Sequence, residues 1–498
     1  MYSRKKKTKK NIKSLIQNRK TNKIKKSKLI KNKRLKSVKG GHRSKKRKTK
    51  KRLNTEYPDK QYGGIIDYKN IILNEGKYED NDSKPRNKQS IFRNVKKIIV
   101  FGDIHGDLDA LVRCLKLSDC VKFGSELPNI EQRKNETNKI ELMSNFLKKI
   151  EWIGRDTHIV QLGDQIDRAR PEIEGSTDEN SMFEILYLLQ ILDDEAKKEG
   201  GRVLSILGNH EMMNIQGDYR YVSDMEFEST SKKNNNTDNK SQKERKIEII
   251  ENRKKYFEPG NPIAKYYSRN RYGILQINDC LFVHGGLSIK FLNDFVKMNN
   301  INKINDKDRS DTDRNDKDRS DKDRNTIDIE YINKLINKYL LNDKKFTSKE
   351  NKILELILGD YGIFWDRELS IINKNKSIDS KPDNCIDIEA YKPVYEVLKL
   401  FNDNTDTKSR NVYNIFVAHT VQNNLNMICY RKDNIKYLCA RCDVGMSKAF
   451  GDKNNEKAEI LSLEVKNDSN NQKNKKQFEH NKTNIDYTFK IIKKLKDN

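Results

Sequence analysis

The chain has 498 residues, a net charge of +29 and a hydrophobic content of 34%. This content is low for a chain that folds along its whole length, so we expect one folded domain interrupted by polar, low-complexity segments. No apolar run of about 18 residues occurs, which argues against a membrane-spanning segment.

Residues 1–52 hold the excess positive charge. They contain 26 Lys or Arg and no Asp or Glu, whereas the rest of the chain has 76 basic and 73 acidic residues. We predict a disordered basic tail, since it lacks both an apolar core and the apolar region of a secretory signal. Two functions suit it, nuclear import and contact with nucleic acid or another polyanion, and a solubilising arm is the simpler alternative. We expect a cytoplasmic or nuclear protein.

The rest of the chain, which we call the body, alternates short apolar runs with segments whose apolar residues recur at helical spacing. A polar linker at 53–95 leads into a catalytic domain at 96–465, and a polar C-terminal tail, with a possible short helix, occupies 466–498. The predicted strands are 98–101, 159–162, 203–207, 281–283, 414–417, 427–430, 436–442 and 458–465. The predicted helices are 107–117, 141–150, 181–198, two between 327 and 358, and 389–401. Low-complexity inserts are predicted at about 121–150, 229–245 and 302–326.

A fourfold acidic repeat occupies residues 306–325. Its alternating acids suggest a calcium loop, but the glycine and the final glutamate that such a loop requires are missing. We therefore favour a solvated insert.

One CxxC pair, Cys439 and Cys442, occurs among seven cysteines. No partner pair accompanies it. A zinc or redox site is one interpretation, but we favour reduced, partly buried thiols on a strand.

Four motifs, each directly after an apolar run, combine glycine with metal-ligating side chains. They are GDIHG at 102–106, GDQIDR at 163–168, GNHE at 208–211 and HGG at 284–286. Glycine lets the chain turn sharply beside a bound ion, and ligands gather at the carboxyl ends of strands in open α/β sheets. A fifth run ends at His419. These oxygen and nitrogen ligands, without thiolate, suit Mn, Fe or Zn.

This motif set resembles that of the calcineurin-like metallophosphoesterases of the phosphoprotein phosphatase type. Residues 208–222 (GNHEMMNIQGDYRYV) and 443–451 (DVGMSKAFG) are most similar to the Shewanella-like protein phosphatases. The resemblance implies an α/β fold with a central β-sandwich of mixed sheets flanked by helices.

The resemblance also implies two divalent metal ions. Asp103 and His105 would hold one ion, and Asp164 would bridge both. The remaining ligands of the second ion would be Asn209, His284 and His419.

Four further residues would act on the substrate by the same resemblance. His210 would be the general acid, oriented by Asp167, and Arg168 and Arg367 would bind phosphate. Arg220 is typical of the subgroup, without an assigned role.

Three positions depart from related motifs without removing a ligand: Ala169 and Ala418 stand where glycine is common, and Leu207 replaces the arginine of eukaryotic Ser/Thr phosphatases. The aromatic substrate loop of those enzymes is also not found, which makes their specificity doubtful here.

The predicted reaction is direct attack of a metal-bridging hydroxide on a phosphomonoester, with phosphoprotein as the favoured substrate. The alternative substrates are a dinucleoside polyphosphate or an RNA 5′ end, which the basic tail mildly favours. A non-catalytic binding protein is a third hypothesis, against which the intact ligand set argues.

Overall fold

A computed structural model describes ten segments of the chain. They are residues 65–75, 88–170, 172–173, 178–231, 241–305, 327–372, 389–405, 411–451, 457–466 and 484–493. The predicted basic tail and the acidic repeat lie outside these residues, as does most of the insert predicted at 229–245.

Thirteen strands occur in the described residues. They are β1 (Ile91–Phe92), β2 (Lys97–Phe101), β3 (Val121–Phe123), β4 (Ile150–Trp152), β5 (His158–Gln161), β6 (Arg202–Ser205), β7 (Ile274–Ile277), β8 (Cys280–Val283), β9 (Asn414–Val417), β10 (Asn426–Lys432), β11 (Ile435–Arg441), β12 (Ile460–Val465) and β13 (Tyr487–Ile492).

Thirteen α-helices accompany them in the same residues. They are α1 (Tyr68–Glu75), α2 (Leu108–Leu117), α3 (Ile130–Lys134), α4 (Glu136–Leu147), α5 (Met182–Lys198), α6 (Asn209–Ile215), α7 (Asp224–Ser229), α8 (Gln242–Phe257), α9 (Pro262–Asn270), α10 (Ile289–Asn305), α11 (Ile329–Leu340), α12 (Ser348–Ile357) and α13 (Lys392–Asp403). Short 3-10 turns occupy Glu389–Tyr391 and Lys448–Phe450.

Two mixed sheets form the centre of the fold. The order in one is β1-β7-β8-β9-β11-β10 and in the other β13-β12-β2-β5-β6. Strands β2, β5 and β6 are parallel neighbours, as are β8 and β9, so their carboxyl ends lie at common edges. Strands β5, β7, β8 and β9 are buried along their whole length, which explains their continuous apolar runs. The predicted α/β fold of mixed sheets with flanking helices is confirmed.

The end of the described chain differs from the prediction of a loose tail with a short helix. Strand β13 pairs antiparallel with β12, from Tyr487 opposite Val465 to Ile492 opposite Ile460. Its sequence, YTFKII, alternates apolar and polar residues, and this strand signal is short enough to be overlooked between polar segments.

The predicted linker also contributes structure. Helix α1 has a buried tyrosine, Tyr68, whose hydroxyl donates a hydrogen bond to Glu184 Oε1 at 2.8 Å. Just before the helix, the backbone N–H of Ile66 donates to Ser144 Oγ at 2.7 Å. Residues 65–75 therefore belong to the folded body.

Residues 121–150, predicted as an insert, form β3, α3, α4 and the first residue of β4. The expected helix at 141–150 begins earlier and ends earlier, as α4. Its buried Met143, Phe146 and Leu147 give it an apolar face that packs in the core.

The cysteines Cys439 and Cys442 are free thiols buried at β11, as predicted from the isolated pair. Burial raises the pKa of both thiols, which keeps them protonated and unreactive. Cys429 on β10, outside this pair, is disulfide-bonded.

None of the helices in the described residues is both long enough and apolar enough to span a membrane.

Candidate metal and catalytic site

The predicted ligands follow the ends of five strands, β2, β5, β6, β8 and β9, and one of them, Asn209, is the first residue of α6. Several of the turns at these strand ends are conformationally demanding. His105, Asp164, Asp167 and His419 all have positive φ, between 45° and 72°. Such backbone is costly for a residue with a Cβ and persists where the surrounding contacts enforce it, as at functional sites.

Asp164 lies at the centre of the cluster. Its Oδ2 atom is 3.3 Å from His284 Nε2 and 3.8 Å from Nε2 of both His105 and His210. One carboxylate oxygen thus faces three imidazoles that arrive from three different strands. This is the arrangement expected of a carboxylate shared between two ions.

Two groups of ligand atoms could each hold an ion, their members lying within 4.8 Å of one another. One group is His105, Asp164 and His210, and the other is Asp164, His284 and His419. Asp164 belongs to both groups. The first group contains His210, to which the sequence assigns an acid role instead of a ligand role.

The other two predicted ligands border these groups. Asp103 Oδ2 is 3.8 Å from His105 Nε2, and its Oδ1 is 3.9 Å from His284 Nδ1. Asn209 Oδ1 is 3.0 Å from His284 Nε2. The structure therefore brings all six predicted ligands to one place.

Two orphaned polar atoms support a metal at this place. Asp103 Oδ1 and His419 Nε2 are buried and have no hydrogen-bond partner among the described residues. Leaving such atoms unpaired costs about 1–3 kcal/mol each, unless something else binds them. The donor set, oxygen and imidazole nitrogen only, fits a divalent Mn, Fe or Zn ion.

The tautomer of His284 is also suited to metal binding. Its Nδ1 lies 2.7 Å from the carbonyl oxygen of Leu162, to which it donates a hydrogen bond. Its Nε2 then faces the oxygens of Asp164 and Asn209, the other predicted ligands at this position. Metal-binding histidines are commonly oriented in this way by a backbone carbonyl.

The electrostatics favour the metal-binding forms of His105, His419 and the central carboxylate. For His284, burial would lower the pKa, but Asp164 outweighs it and raises that pKa. Burial lowers the pKa of His105, with Arg170 and His210 adding to the shift, and burial also lowers the pKa of His419. Burial alone would raise the pKa of Asp164, but the neighbouring His284 and His210 outweigh it and hold that pKa well below its ordinary value. Neutral imidazole and ionised carboxylate are the forms that bind metal.

Asp103 behaves in the opposite way. Burial raises its pKa, and the nearby carboxylates of Asp443 and Asp164 raise it further. Several acids crowded in one buried place are costly unless positive charge joins them. Divalent ions would supply that charge.

The predicted acid, His210, is held by Asp167. His210 Nδ1 donates to Asp167 Oδ2 at 2.9 Å, while Nε2 faces the metal ligands. Asn214 Nδ2 in turn donates to both oxygens of Asp167, at 2.8 and 2.9 Å. The ring is thereby fixed with one nitrogen directed into the site.

Glu211 connects two motifs. Its carboxylate accepts hydrogen bonds from the backbone N–H groups of Gly208 at 2.7 Å, Gln165 at 2.8 Å and Asp164 at 3.0 Å. Gly208 is required at this junction, because a Cβ there would lie 2.1 Å from Asp164 Oδ1. The glutamate of the third motif therefore positions the second, a role that the sequence alone did not reveal.

The two arginines predicted to bind phosphate differ in burial. Arg168 is fully buried, and its Nη1 lies 3.6 Å from both Asp107 and Glu179. The guanidinium of Arg168, which was predicted to bind phosphate, therefore lies between two acids. Arg367 is part-buried, and its Nη1 donates to the carbonyl of His419 at 3.0 Å. This contact places Arg367 beside the predicted ligand His419.

Arg170, which the motifs did not single out, reaches the ligands. Its Nη2 lies 3.0 Å from His105 Nδ1 and 3.2 Å from Nε2. The rings of Tyr221 and Phe450 flank the guanidinium at 5.0 and 5.1 Å. Its only sequence signal was its position two residues after the second motif's arginine.

Arg220 lies at the surface. Its side chain is 64% exposed and pairs with Asp218 at 2.7 Å. The adjacent Tyr221 ring lies 5.0 Å from the His210 ring. Arg220 is therefore close to the site in sequence, and the structure gives it this exposed ion pair and a contact with the Tyr221 ring at 5.8 Å.

The sequence matches the calcineurin-like phosphoesterase family over residues 96–332. This span includes five of the six predicted ligands, and the sixth, His419, is brought to them by β9. The rings of His419 and His284 lie 5.1 Å apart.

Three relatives are similar to the chain. An uncharacterized protein of Acanthamoeba polyphaga mimivirus is 29% identical over 292 residues, which is 57% of this chain and 96% of that protein. Shewanella-like protein phosphatase 2 of Arabidopsis thaliana is 26% identical, over 42% of this chain and 51% of that protein. Shewanella-like protein phosphatase 1 of Plasmodium berghei is 29% identical, over 49% of this chain and 51% of that protein.

The chain thus spans nearly all of the viral relative but about half the length of the two phosphatases. With its motifs at the strand ends of two mixed sheets, the chain carries a calcineurin-like phosphoesterase domain over residues 96–332.

Proposed function

We propose that this protein removes phosphate from phosphorylated proteins with two divalent metal ions. The observation that carries the proposal is Asp164 Oδ2, which faces imidazoles from three strands and belongs to both candidate metal groups. Two ions sharing one carboxylate are typical of enzymes that transfer phosphoryl groups to water.

The ions would be held by Asp103, His105 and Asp164 on one side and by Asp164, Asn209, His284 and His419 on the other. When bound, they would activate a water molecule for attack and neutralise charge on the phosphate oxygens. The identity of the metal pair, among Mn, Fe and Zn, belongs to this proposal.

His210 would deliver the proton to the departing oxygen. Its Nδ1 is occupied by Asp167, so the proton comes from Nε2, which faces the ligand cluster. Proton transfer of this kind contributes about 10²- to 10⁴-fold to a rate. No step requires a covalent bond between phosphate and the protein.

We assign phosphate binding to Arg367 and Arg170. Both guanidinium groups lie beside predicted metal ligands, at His419 and His105 respectively. A guanidinium presents several N–H donors in a plane, which matches two oxygens of a phosphate. Arg168, between Asp107 and Glu179, would instead stabilise the loop after the second motif.

Phosphoprotein is the favoured substrate because two relatives carry the name protein phosphatase. A panel of phosphoserine, phosphothreonine and phosphotyrosine peptides, assayed beside a dinucleoside polyphosphate and capped RNA, tests this choice. We expect phosphate release from peptides, abolished in Asp164→Asn. Turnover of the nucleotide or RNA substrates alone would support pyrophosphohydrolase activity instead.

A further inference from the structure

Asp167 is not the only residue linked to the imidazole of His210, because a buried arginine is connected to this pair through hydrogen bonds. Arg253 lies on α8 and is completely buried. Its Nε donates to Asn214 Oδ1 at 2.7 Å, and Asn214 Nδ2 donates to both Asp167 oxygens. A continuous line of hydrogen bonds therefore runs from Arg253 through Asn214 and Asp167 to His210.

The same guanidinium also fixes the neighbouring loop. Arg253 Nη1 donates to the carbonyl oxygen of Glu226 at 3.0 Å. The carboxylate of Glu226 accepts the backbone N–H groups of Asp167 at 2.9 Å and Arg168 at 3.0 Å. Asp167 has a φ of 72°, a strained backbone that needs such support.

Charge and packing explain why arginine suits this position. Nη2 lies 3.7 Å from Asp167 Oδ1, so the guanidinium balances a carboxylate that is itself fully buried. The rings of Tyr219, Phe227 and Phe257 surround the guanidinium at 4.5 to 5.9 Å. A planar cation with separate donors satisfies two acceptors while lying between rings, which the point charge of lysine does less well.

We infer that Arg253 is a positioning residue that sets the orientation of the His210 imidazole through Asn214 and Asp167. Its hydrogen bond to Asn214 Oδ1 selects the amide orientation in which Nδ2 faces Asp167. Without it, the amide and the carboxylate are free to rotate, and the His210 ring loses its fixed direction. The inference rests on the proposed hydrolysis, in which His210 is the acid.

A double-mutant cycle tests the inference on the full chain, with Arg253→Met, His210→Asn and the combined variant. We expect Arg253→Met to lower kcat about 10- to 100-fold, the usual loss for residues that orient an active-site ligand. The loss should be larger for an alkyl phosphate than for nitrophenyl phosphate, whose leaving group needs less protonation. In the His210→Asn background, the same substitution should cause no further loss.

The controls separate positioning from general destabilisation. Arg245→Met, at an exposed position on the same helix, should leave kcat, metal content and Tm unchanged. Metal content of Arg253→Met should also stay at the wild-type level, since Arg253 touches no predicted ligand. If Arg253→Met does not fold, the cycle is repeated with Arg253→Lys and Asn214→Ser, for which we expect the same non-additivity.

An equal loss from Arg253→Met in the wild-type and His210→Asn backgrounds would overturn the inference, as would an unchanged kcat in the folded variant. Failure of the proposed function looks different, because the wild-type chain itself would then release no phosphate from either ester.

Discussion

At the scale of single residues, the contacts of Asp164 and His210 are the most informative feature. Asp164 faces the imidazoles of both candidate metal groups, whereas His210 is bonded to Asp167 through one nitrogen. The same imidazole also lies close enough to Asp164 to count as a candidate ligand. Its role as acid or as ligand is therefore open to direct measurement.

His210→Asn separates these two roles. If His210 is the acid, the variant should keep its metal while kcat falls by about 10²- to 10⁴-fold for alkyl phosphates. The fall should be smaller for nitrophenyl phosphate, whose leaving group needs little protonation. Metal analysis and kinetics on both esters provide the measurement. Loss of one ion, with equal rate losses on both esters, would make His210 a ligand instead.

Arg168 and Arg170 should respond differently to substitution by lysine. Arg170→Lys should raise KM for phosphate esters with little change in Tm, because its guanidinium lies at His105 and not within an acid pair. Arg168→Lys should mainly lower Tm, since its side chain is fully buried between Asp107 and Glu179. Steady-state kinetics and thermal unfolding of both variants check this. The reverse pattern would return phosphate binding to Arg168.

The sequence could nominate candidate ligands because five of the six stand in short motifs with glycine. It could not predict residues whose role depends on contacts distant in sequence. Arg253 is 39 positions from Asn214, and Arg170 is 65 positions from His105. Neither belongs to a motif, so only the folded chain reveals what they contact.

At the scale of elements, strand ends and short helices are linked by buried and part-buried ion pairs. Asp109 on α2 accepts hydrogen bonds from Arg133 of α3 at 2.9 Å and from Lys448 of the 3-10 turn at 2.8 Å. Arg133 also bonds Glu179 at 2.7 Å, next to α5. Elements far apart in the sequence are thus linked around the first motif.

This link predicts a pH dependence of stability. Burial would raise the pKa of Asp109, but the hydrogen bonds from Arg133 and Lys448 outweigh it and lower the pKa to about 2. The pKa in the unfolded chain is about 4, so the carboxylate stabilises the fold by about 2 kcal/mol above pH ~4. That contribution should be lost as the pH falls from about 4 to 2.

Denaturant unfolding of Asp109→Asn against pH is the measurement. The variant should be less stable than wild type at neutral pH, and the difference should shrink as the pH falls through this range. Glu141→Gln, at an exposed acid on α4, is the matched control and should follow wild type. A constant difference at every pH would contradict the assigned pairing.

Element boundaries were predicted less well than element types. Continuous apolar runs indicate buried strands such as β5 and β8, and a long apolar stripe indicates the helix α5. Strand β13 has a single run of six residues between polar segments, and its partner β12 identifies it as a strand. The sequence pattern therefore does not reveal which distant segments pair.

At the scale of the whole molecule, the chain combines a nearly neutral body with a strongly basic beginning. All proposed site residues lie in the body, at strand ends of the two sheets. Helix α1 belongs to the body too, because Tyr68 and Ile66 bond Glu184 and Ser144. A boundary between tail and body consequently belongs before residue 65.

Two truncations test this boundary. A protein beginning at residue 58 should keep the wild-type kcat on nitrophenyl phosphate but bind polyanions with a smaller salt dependence, since counterion release scales with the number of basic contacts. A protein beginning at residue 85 should have a lower Tm, because it lacks α1. Heparin binding against salt, kinetics and thermal unfolding are measured on both. Equal Tm values for the two would place α1 outside the folded body.

The tail itself is tested by fusing residues 1–52 to a reporter. Nuclear enrichment of the reporter would support import, and salt-sensitive binding of RNA by the full chain would support polyanion contact. If neither nuclear localisation nor RNA binding changes when residues 1–52 are deleted, the tail acts as a solubilising arm.

In the proposed reaction, two ions share Asp164 and drive phosphate release. This is tested by the metal content of the purified protein, measured together with phosphate release before and after chelation and in Asp164→Asn. We predict about two ions per chain, no release after chelation, recovery on adding Mn²⁺, and loss of both metal and activity in the variant. Undiminished phosphate release from the chelated, metal-free protein would contradict the account.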